Sequence, residues 1–182
     1  MKKYVKLIII IILTIIDQVI KIIINKYYMD YQCVFIRSLL SFFPVINRKY
    51  FFVNTLLNTK IGFVVITCIL ILGLIFLLII YKFLKERIIK PFFVDCGVIL
   101  CTSGIICAII TVLFWDGTLD YIYLLPVNII FDLKDIYLKG WCILLLGLFI
   151  NKKYLSNVRL NDLINYLIIS YQKYITKPTN HE

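Results

Sequence analysis

The chain has 182 residues, 62% of them hydrophobic, and a mean hydropathy of +0.96. This composition is too apolar for a soluble domain and indicates an integral membrane protein with few spans. The formal net charge is +10. In so apolar a chain, we assign this excess of Lys and Arg to a membrane surface and do not expect nucleic acid as a partner.

Four segments approach the roughly 20 apolar residues that a membrane-spanning helix needs. They cover about 5–24, 61–81, 92–115 and 136–151, and the last is the shortest. The first has lysines ahead of its apolar run, as a signal peptide does. It lacks a small-residue cleavage site and carries internal charges, so we interpret it as a retained helix. The sequence therefore predicts an all-α membrane protein of one domain, residues 1–182, with four transmembrane helices.

The distribution of Lys and Arg favours cytoplasmic termini. Three lie at the N-terminal end, four in 81–90 and five in 151–182, whereas 26–60 and 116–139 together hold seven. Within the tail, residues 158–176 place apolar side chains at helical spacing, which predicts an amphipathic helix on the cytoplasmic leaflet. With this orientation, the loop before the last span faces outward.

That loop concentrates acidic residues in an otherwise apolar and aromatic stretch. It holds four of the chain's ten Asp and Glu residues: Asp116, Asp120, Asp132 and Asp135. We expect no metal and no cofactor, because the single histidine is next to the last residue and no CxxC pair occurs. Proton transfer in an enzyme of this composition would fall to carboxylates, Lys or Tyr.

Asp120 and Asp135 flank the loop, one at the expected end of the third span and one at the start of the fourth. Two carboxylates in contact cannot both ionise cheaply, so they share a proton. The ionised one can activate water while the protonated one polarises a carbonyl. The alternative is a solvated acidic loop. Such loops are the commoner explanation of clustered Asp residues, but this one fits poorly with the apolar and aromatic residues around it.

A second charged pair lies inside the first apolar segment. Asp17 and Lys21 are four residues apart and therefore share one helical face. Charge at this depth is costly, so it is paired internally or functional. A bridge to neighbouring helices and a role facing a substrate are equally open. Asp95, near the cytoplasmic end of the third span, is interpreted as an ordinary carboxylate at headgroup level.

Three short motifs resemble those of signal peptidase II, the lipoprotein signal peptidases, a family of four-helix membrane aspartyl proteases. The family's Asp-Gln-x-x-Lys stands here as "DQVIK", Val-Val-Asp-Phe-Ile resembles "TLDYI", and Phe-Asn-x-Ala-Asp resembles "FDLKD". The matching positions, in chain order, are Asp17, Gln18, Lys21, Asp120, Phe131 and Asp135, with Asp132 in place of the Asn. The motifs occur in the family's order across residues 17 to about 150.

Two further motifs are only partly present. Of Asn-x-Gly-x-x-Phe, Asn54 in "VNTLLN" is the plausible remnant. Of Gly-Gly-Ala-x-Gly-Asn-x-x-Asp-Arg, the stretch "SGIICAIITV" keeps Gly104. The Asn, Asp and Arg of that motif are replaced by Ala108, Thr111 and Val112. Asp132 and Lys134 are candidates for polar groups that rebuild what is lost.

The resemblance implies an aspartic endopeptidase that removes the signal peptide from diacylglyceryl-modified prolipoproteins. It implies catalytic roles for Asp120 and Asp135. It implies supporting or substrate-binding roles for Asp17, Gln18, Lys21, Asn54, Gly104, Asp116, Phe131 and Asp132. Location in a bacterial cytoplasmic membrane, an active site at the outer face, contact with membrane lipid and inhibition by a cyclic peptide such as globomycin are also implied.

The resemblance further implies that the outer insert, 25–60, forms a small β-cradle and a helix over the site. Locally, "YQCVF" and "KYFFV" suit strands by their β-branched and aromatic content. Two other functions stay open. A non-catalytic relative that binds lipidated peptides would explain the lost polar groups, and a small transporter subunit would explain Asp17 and Lys21 as a polar path.

Overall fold

The computed structural model describes residues 1–47, 62–87, 91–115 and 117–150, together with residues 165, 166 and 168. Within these ranges lie four long helices, α1 (Lys3–Tyr27), α2 (Phe63–Arg87), α3 (Pro91–Phe114) and α4 (Leu133–Ile150). Four strands accompany them, β1 (Cys33–Ile36), β2 (Leu40–Asn47), β3 (Thr118–Leu124) and β4 (Ile129–Phe131).

Helices α1, α2 and α3 are long and apolar enough to cross a membrane. Many of their large apolar side chains point outward, such as Leu7, Leu72 and Phe92. Exposure of these side chains to water would be costly, whereas contact with lipid is favourable. The chain is therefore a multi-pass membrane protein. The 18 residues of α4 include three charged ones near its start, and its membrane crossing stays a prediction.

Helix α3 is at the centre of the bundle and packs against α1, α2 and α4. About two thirds of its apolar span is buried (67%), against 17% for α1 and 11% for α2. One core cluster joins Leu77 of α2 to Val98, Cys101 and Ile105 of α3. Helix α3 therefore presents one face to each of its three neighbouring helices.

The strands form one antiparallel sheet in the order β1-β2-β3-β4. A 3-10 turn, Leu125–Val127, joins β3 to β4, and Asn128 completes it with a left-handed backbone at φ 52°. In the register of β2 and β3, Val45 pairs with Asp120 after a shift that begins at Phe42. The sheet thus carries one carboxylate of the acidic loop on a strand held from both sides.

The sheet corrects two expectations. The predicted helical membrane protein with a small sheet is confirmed, but the strands are not confined to the insert after α1, because the acidic loop supplies β3 and β4. Asp120 does not end the third span: α3 ends at Phe114, and the β-branched and aromatic "TLDYIYL" pairs with β2. The strand expected at "YQCVF" overlaps β1.

Other predictions fall on parts of the chain outside the described residues. These are the strand "KYFFV", the helix expected over the site, Asn54 and Asp116, and most of the amphipathic tail at 158–176. Within the tail, residues 165, 166 and 168 are helical. The ring of Tyr166 lies 5.5 Å from that of Phe83, centroid to centroid, so this part of the tail packs on α2.

Candidate active site

The charged pair of α1 is buried and intact. Asp17 and Lys21 are both fully shielded, and the Lys21 Nζ lies 3.0 Å from the Asp17 Oδ2. Gln18 Nε2 donates to the same oxygen at 2.9 Å and its Oε1 accepts a hydrogen bond from Trp115 Nε1 at 3.2 Å. The predicted pairing is confirmed, and three groups of one motif form a single chain of contacts.

Lys21 also connects α1 to two other parts of the bundle. Its Nζ lies 2.7 Å from Asp132 Oδ2, just before α4, and donates to Thr111 Oγ1 of α3 at 3.4 Å. Of the two interpretations left open by the sequence, these contacts support a bridge between helices. A lysine shared by two carboxylates also keeps neither of them as an isolated buried charge.

Asp132 and Asp135 begin α4 with a reciprocal pair of backbone contacts. Asp132 Oδ1 accepts the Asp135 N–H at 3.2 Å, and Asp135 Oδ2 accepts the Asp132 N–H at 3.4 Å. This is the capping-box geometry, in which two side chains satisfy N–H groups that the first helical turn leaves free. The motif "FDLKD" therefore fixes the direction of the Asp135 side chain by local structure alone.

Asp120 joins this pair from β3. One carboxylate oxygen from each of Asp120, Asp132 and Asp135 can be chosen so that all three lie within 4.8 Å of one another. Lys134 Nζ contacts all three carboxylates, at 2.8 Å from Asp132 Oδ2, 3.5 Å from Asp135 Oδ1 and 3.8 Å from Asp120 Oδ1. We call Asp17, Lys21, Asp120, Asp132, Lys134 and Asp135 the acidic cluster.

Three oxygens at this spacing could in principle hold a cation. In this chain Lys134 already places an ammonium against each carboxylate, so the protein supplies the counter-charge itself. The acidic cluster still has four carboxylates against two lysines. Such an excess is relieved when a carboxylate holds a proton.

Burial and charge shift the pKa values of Asp120 and Asp132, two of the three carboxylates beside Lys134, in opposite directions. Burial raises the pKa of Asp120 to about 7; Lys134 opposes the rise, and Asp132 and Asp135 add to it. Burial would also raise the pKa of Asp132, but Lys134 and Lys21 outweigh it and hold that pKa below its usual range. Near neutral pH, Asp132 is therefore an ionised anchor, whereas Asp120 readily carries a proton.

Two other predicted residues have structural surroundings. Gly104 faces α4 so closely that an added Cβ would lie 2.7 Å from Leu138 Cγ and 3.2 Å from the Lys134 carbonyl oxygen. Phe131 ends β4, and the ammonium of Lys139 lies 4.5 Å from its ring centroid. Gly104 thus lets the start of α4 approach α3, while Phe131 lies outside the contacts of the acidic cluster.

Asp95 forms a second cluster of charges. Its side chain is buried, at 1% exposure, and its Oδ2 lies 2.7 Å from the Met1 amine, whereas its depth at headgroup level stays a prediction. Its Oδ1 accepts a hydrogen bond from Tyr81 at 2.6 Å and lies 3.2 Å from Lys6 Nζ and 3.8 Å from Lys85 Nζ. We call these five groups the Asp95 cluster. It joins the start of α1, the end of α2 and the start of α3.

Most of the chain matches a known protein family. Residues 9–150 match the family described as Peptidase_A8, Signal peptidase (SPase) II. The chain belongs to the signal peptidase II family. This is a family of aspartic peptidases that act on lipoproteins. No curated protein sequence is significantly similar to the chain.

Two solved bacterial membrane enzymes have similar folds. The first is 21% identical over 82% of this chain and 94% of its own, with a TM-score of 0.67. The second is 20% identical over 87% of this chain and 93% of its own, with a TM-score of 0.60. At these identities the likeness concerns the fold, which extends over nearly the whole length of both enzymes.

Proposed function

We propose that the chain is an aspartic endopeptidase that cuts diacylglyceryl-modified prolipoproteins on the N-terminal side of the lipidated cysteine. Asp120 and Asp135 are its two catalytic carboxylates. Family membership supports the substrate class, and the acidic cluster supports the chemistry. Asp17, Gln18, Lys21 and Asp132 hold the pair in place, and Gly104 admits the start of α4.

The observation that carries the proposal is the environment of Asp120. Its side chain is 11% exposed, and its Oδ1 accepts no hydrogen bond from the described residues. Leaving a buried polar atom unpaired is costly, so such an atom beside other titratable groups is a candidate for contact with a reacting group. Asp135, within 4.8 Å, keeps 32% of its side chain exposed and can reach water.

The two environments suggest a division of roles. Asp135, ionised, takes a proton from a water molecule, whose oxygen attacks the scissile carbonyl carbon. Asp120, protonated, gives its proton to the carbonyl oxygen, so the tetrahedral intermediate forms without free charge. As that intermediate collapses, the C–N bond breaks, the cysteine nitrogen gains the proton held by Asp135, and Asp120 recovers its own.

The membrane supplies the rest of the reaction's setting. We place the chain in a bacterial cytoplasmic membrane, with cytoplasmic termini and the acidic cluster toward the outer face, as the Lys and Arg distribution favours. The diacylglyceryl group would then hold the substrate cysteine at bilayer level, near β3 and the start of α4. A globomycin-type cyclic peptide is expected to compete for the same position.

Cleavage by the purified protein in lipid vesicles tests the proposal. A synthetic prolipoprotein carrying the diacylglyceryl group should be cut before its cysteine, as followed by gel mobility and mass spectrometry. The same peptide without lipid is the matched control and should be cut far more slowly. Equal rates on both peptides would contradict the substrate assignment. Cleavage at another bond would contradict the proposed cleavage position before the cysteine.

A non-catalytic function is the second candidate. The third-helix positions that are Asn, Asp and Arg in the family motif are Ala108, Thr111 and Val112 here, and Lys134 contacts both Asp120 and Asp135. A chain altered in this way could bind lipidated peptides without cutting them. Retention of the lipidated peptide on protein-containing vesicles, with no cleavage over long incubation, would favour this function.

A further inference from the structure

Lys134 occupies an unusual position for a positive charge. It lies between the capping residue Asp132 and Asp135, in the first turn of α4, and it is 7% exposed. The family motif has Ala at this position and Arg at that of Val112 on α3. The chain therefore lacks one positive charge at the α3 position and has one on α4 instead.

The position of Lys134 is fixed by contacts at both ends of the residue. The Lys134 carbonyl oxygen lies close to α3: a Cβ added at Gly104 would be only 3.2 Å from it. Helices α3 and α4 are therefore in close contact. At its side chain, Nζ donates to Asp132 Oδ2 at 2.8 Å, the same oxygen that lies 2.7 Å from Lys21 Nζ. Its ammonium cannot turn toward solvent without breaking a buried ion pair.

We propose, on the basis of the proposed function, that Lys134 is a positioning residue whose ammonium keeps the Asp120–Asp135 pair at one shared proton near neutral pH. Nζ lies 3.8 Å from Asp120 and 3.5 Å from Asp135. An opposite charge within this range lowers a carboxyl pKa by about 1–3 units. Without Lys134, the acidic cluster would set four carboxylates against Lys21 alone, and the pair would bind protons more tightly.

Other titratable groups also face this pair and set the background against which Lys134 acts. Lys21 of α1, Asp132, and Lys139 of α4 interact with the pair itself. One step further away, Asp17 of α1, Cys107 of α3, Tyr121 of β3 and Tyr137 of α4 interact with Lys21, with Asp132 or with one another. Of the lysines among them, Lys21 is engaged by Asp17 and Asp132, and Lys139 is exposed. Lys134 alone among the described lysines lies within 4 Å of both Asp120 and Asp135.

The test compares pH profiles of cleavage for full-length protein in lipid vesicles. Lys134→Met keeps the length of the side chain and removes its charge. In this variant, both the acidic and the basic limb of the pH–rate profile should move to higher pH by at least about one unit. A shift of one unit lowers the rate on the acidic limb about tenfold at fixed pH. Lys134→Arg should restore the original profile, and Lys139→Met, on the same helix, should leave it within a few tenths of a unit.

A titration of the protonated-carboxyl infrared band gives the same comparison without substrate. It should show the carboxyls of Lys134→Met losing protons at higher pH than those of Lys139→Met. Superimposed profiles and titrations for these two variants would overturn the proposal. If the unmodified protein fails to cleave while the infrared shift is present, the proposed function fails and the charge effect of Lys134 stands.

A second pair of variants guards against misfolding of Lys134→Met. Asp132→Asn and Asp132→Asn/Lys134→Ala both carry the family's Asn, and the double variant changes no net charge relative to the unmodified protein. They differ from each other only at position 134. The double variant's profile should lie at least about one unit above that of Asp132→Asn, and coincidence of the two would also overturn the proposal.

Discussion

The acidic cluster and the Asp95 cluster use the same chemical groups in opposite proportions. The first sets four carboxylates against two lysines, and the second sets one carboxylate against Lys6, Lys85 and the Met1 amine. Helix α1 reaches both. Lys6 and Lys21 lie fifteen positions apart on α1, which corresponds to about 22 Å of helix, most of the thickness of a bilayer core.

The difference agrees with a structural role for the Asp95 cluster and with the proposed catalytic role of the acidic cluster. Both oxygens of Asp95 are occupied by donors, so this carboxylate is held in its charged form and fastens three helix ends together. In the acidic cluster, Asp120 Oδ1 accepts no hydrogen bond from the described residues. Because the acidic cluster has more carboxylates than lysines, it favours a carboxylate that holds a proton, and the proposed mechanism uses this state.

The largest effect we expect is on catalysis. Asp120→Asn and Asp135→Asn should each lower the cleavage rate by about 10²–10⁴-fold or more, because an amide can neither accept the water's proton nor share one. The measurement is the initial cleavage rate of the lipidated peptide, with folding checked by gel filtration and circular dichroism.

Asp95→Asn is the matched control for those two variants. The same change at the Asp95 cluster should leave the rate of the folded protein within a few-fold of the original. Asp116→Asn and Asp132→Asn should also cost much less than the two catalytic changes. Equal losses at Asp95 and Asp120 would erase the distinction between the clusters.

The second effect concerns stability at the acidic cluster. Lys21→Met leaves Asp17 and Asp132 without their shared buried lysine, and removal of one partner of a buried pair costs about 3–5 kcal/mol. Denaturant unfolding in detergent micelles, compared with the unmodified protein, measures this free energy. A change below about 1 kcal/mol would mean that the bridge between α1 and α4 carries little of the fold's stability.

The sequence determines the helices and the local contacts well. Apolar runs predict α1, α2 and α3 because length and composition decide whether a segment spans a bilayer. The pair of Asp17 and Lys21 follows from spacing alone. The reciprocal contacts of Asp132 and Asp135 could have been read from the same spacing, since Asp-x-x-Asp before an apolar run resembles a capping box.

Long-range contacts are where the sequence falls short. Asp95 meets Lys6 and the Met1 amine across 89 and 94 residues, and no local pattern encodes that meeting. Strand β3 escaped prediction because an apolar, aromatic stretch beside a membrane span resembles a continuation of the span. Lys134 was visible in the motif, but its contact with Asp120 depends on β3 and so could not be foreseen.

The third effect is smaller and tests how the acidic cluster is brought together. Gly104→Ala should destabilise the protein by about 1–3 kcal/mol, because its Cβ would meet Leu138 and push α4 from α3. Gly73→Ala on α2 is the matched control, since a Cβ there meets nothing within 4 Å. Ala in that helix should be neutral or stabilising by up to about 1 kcal/mol. Equal unfolding midpoints for the two variants would contradict close packing at Gly104.

The smallest effect should come from Lys85, the counterpart of Lys21 in the Asp95 cluster. Its side chain is 41% exposed and its Nζ lies 3.8 Å from an oxygen that Tyr81 and Lys6 already contact. A solvent-exposed ion pair contributes about 0–1 kcal/mol, so Lys85→Met should shift the free energy of unfolding by no more than that. Lys85→Met and Lys21→Met make the same chemical change. The two lysines differ in burial and in the number of carboxylates that each one contacts. A loss of stability as large as that of Lys21→Met would show that Asp95 depends on each of its cations. The excess of positive groups around Asp95 would then be a requirement of the fold.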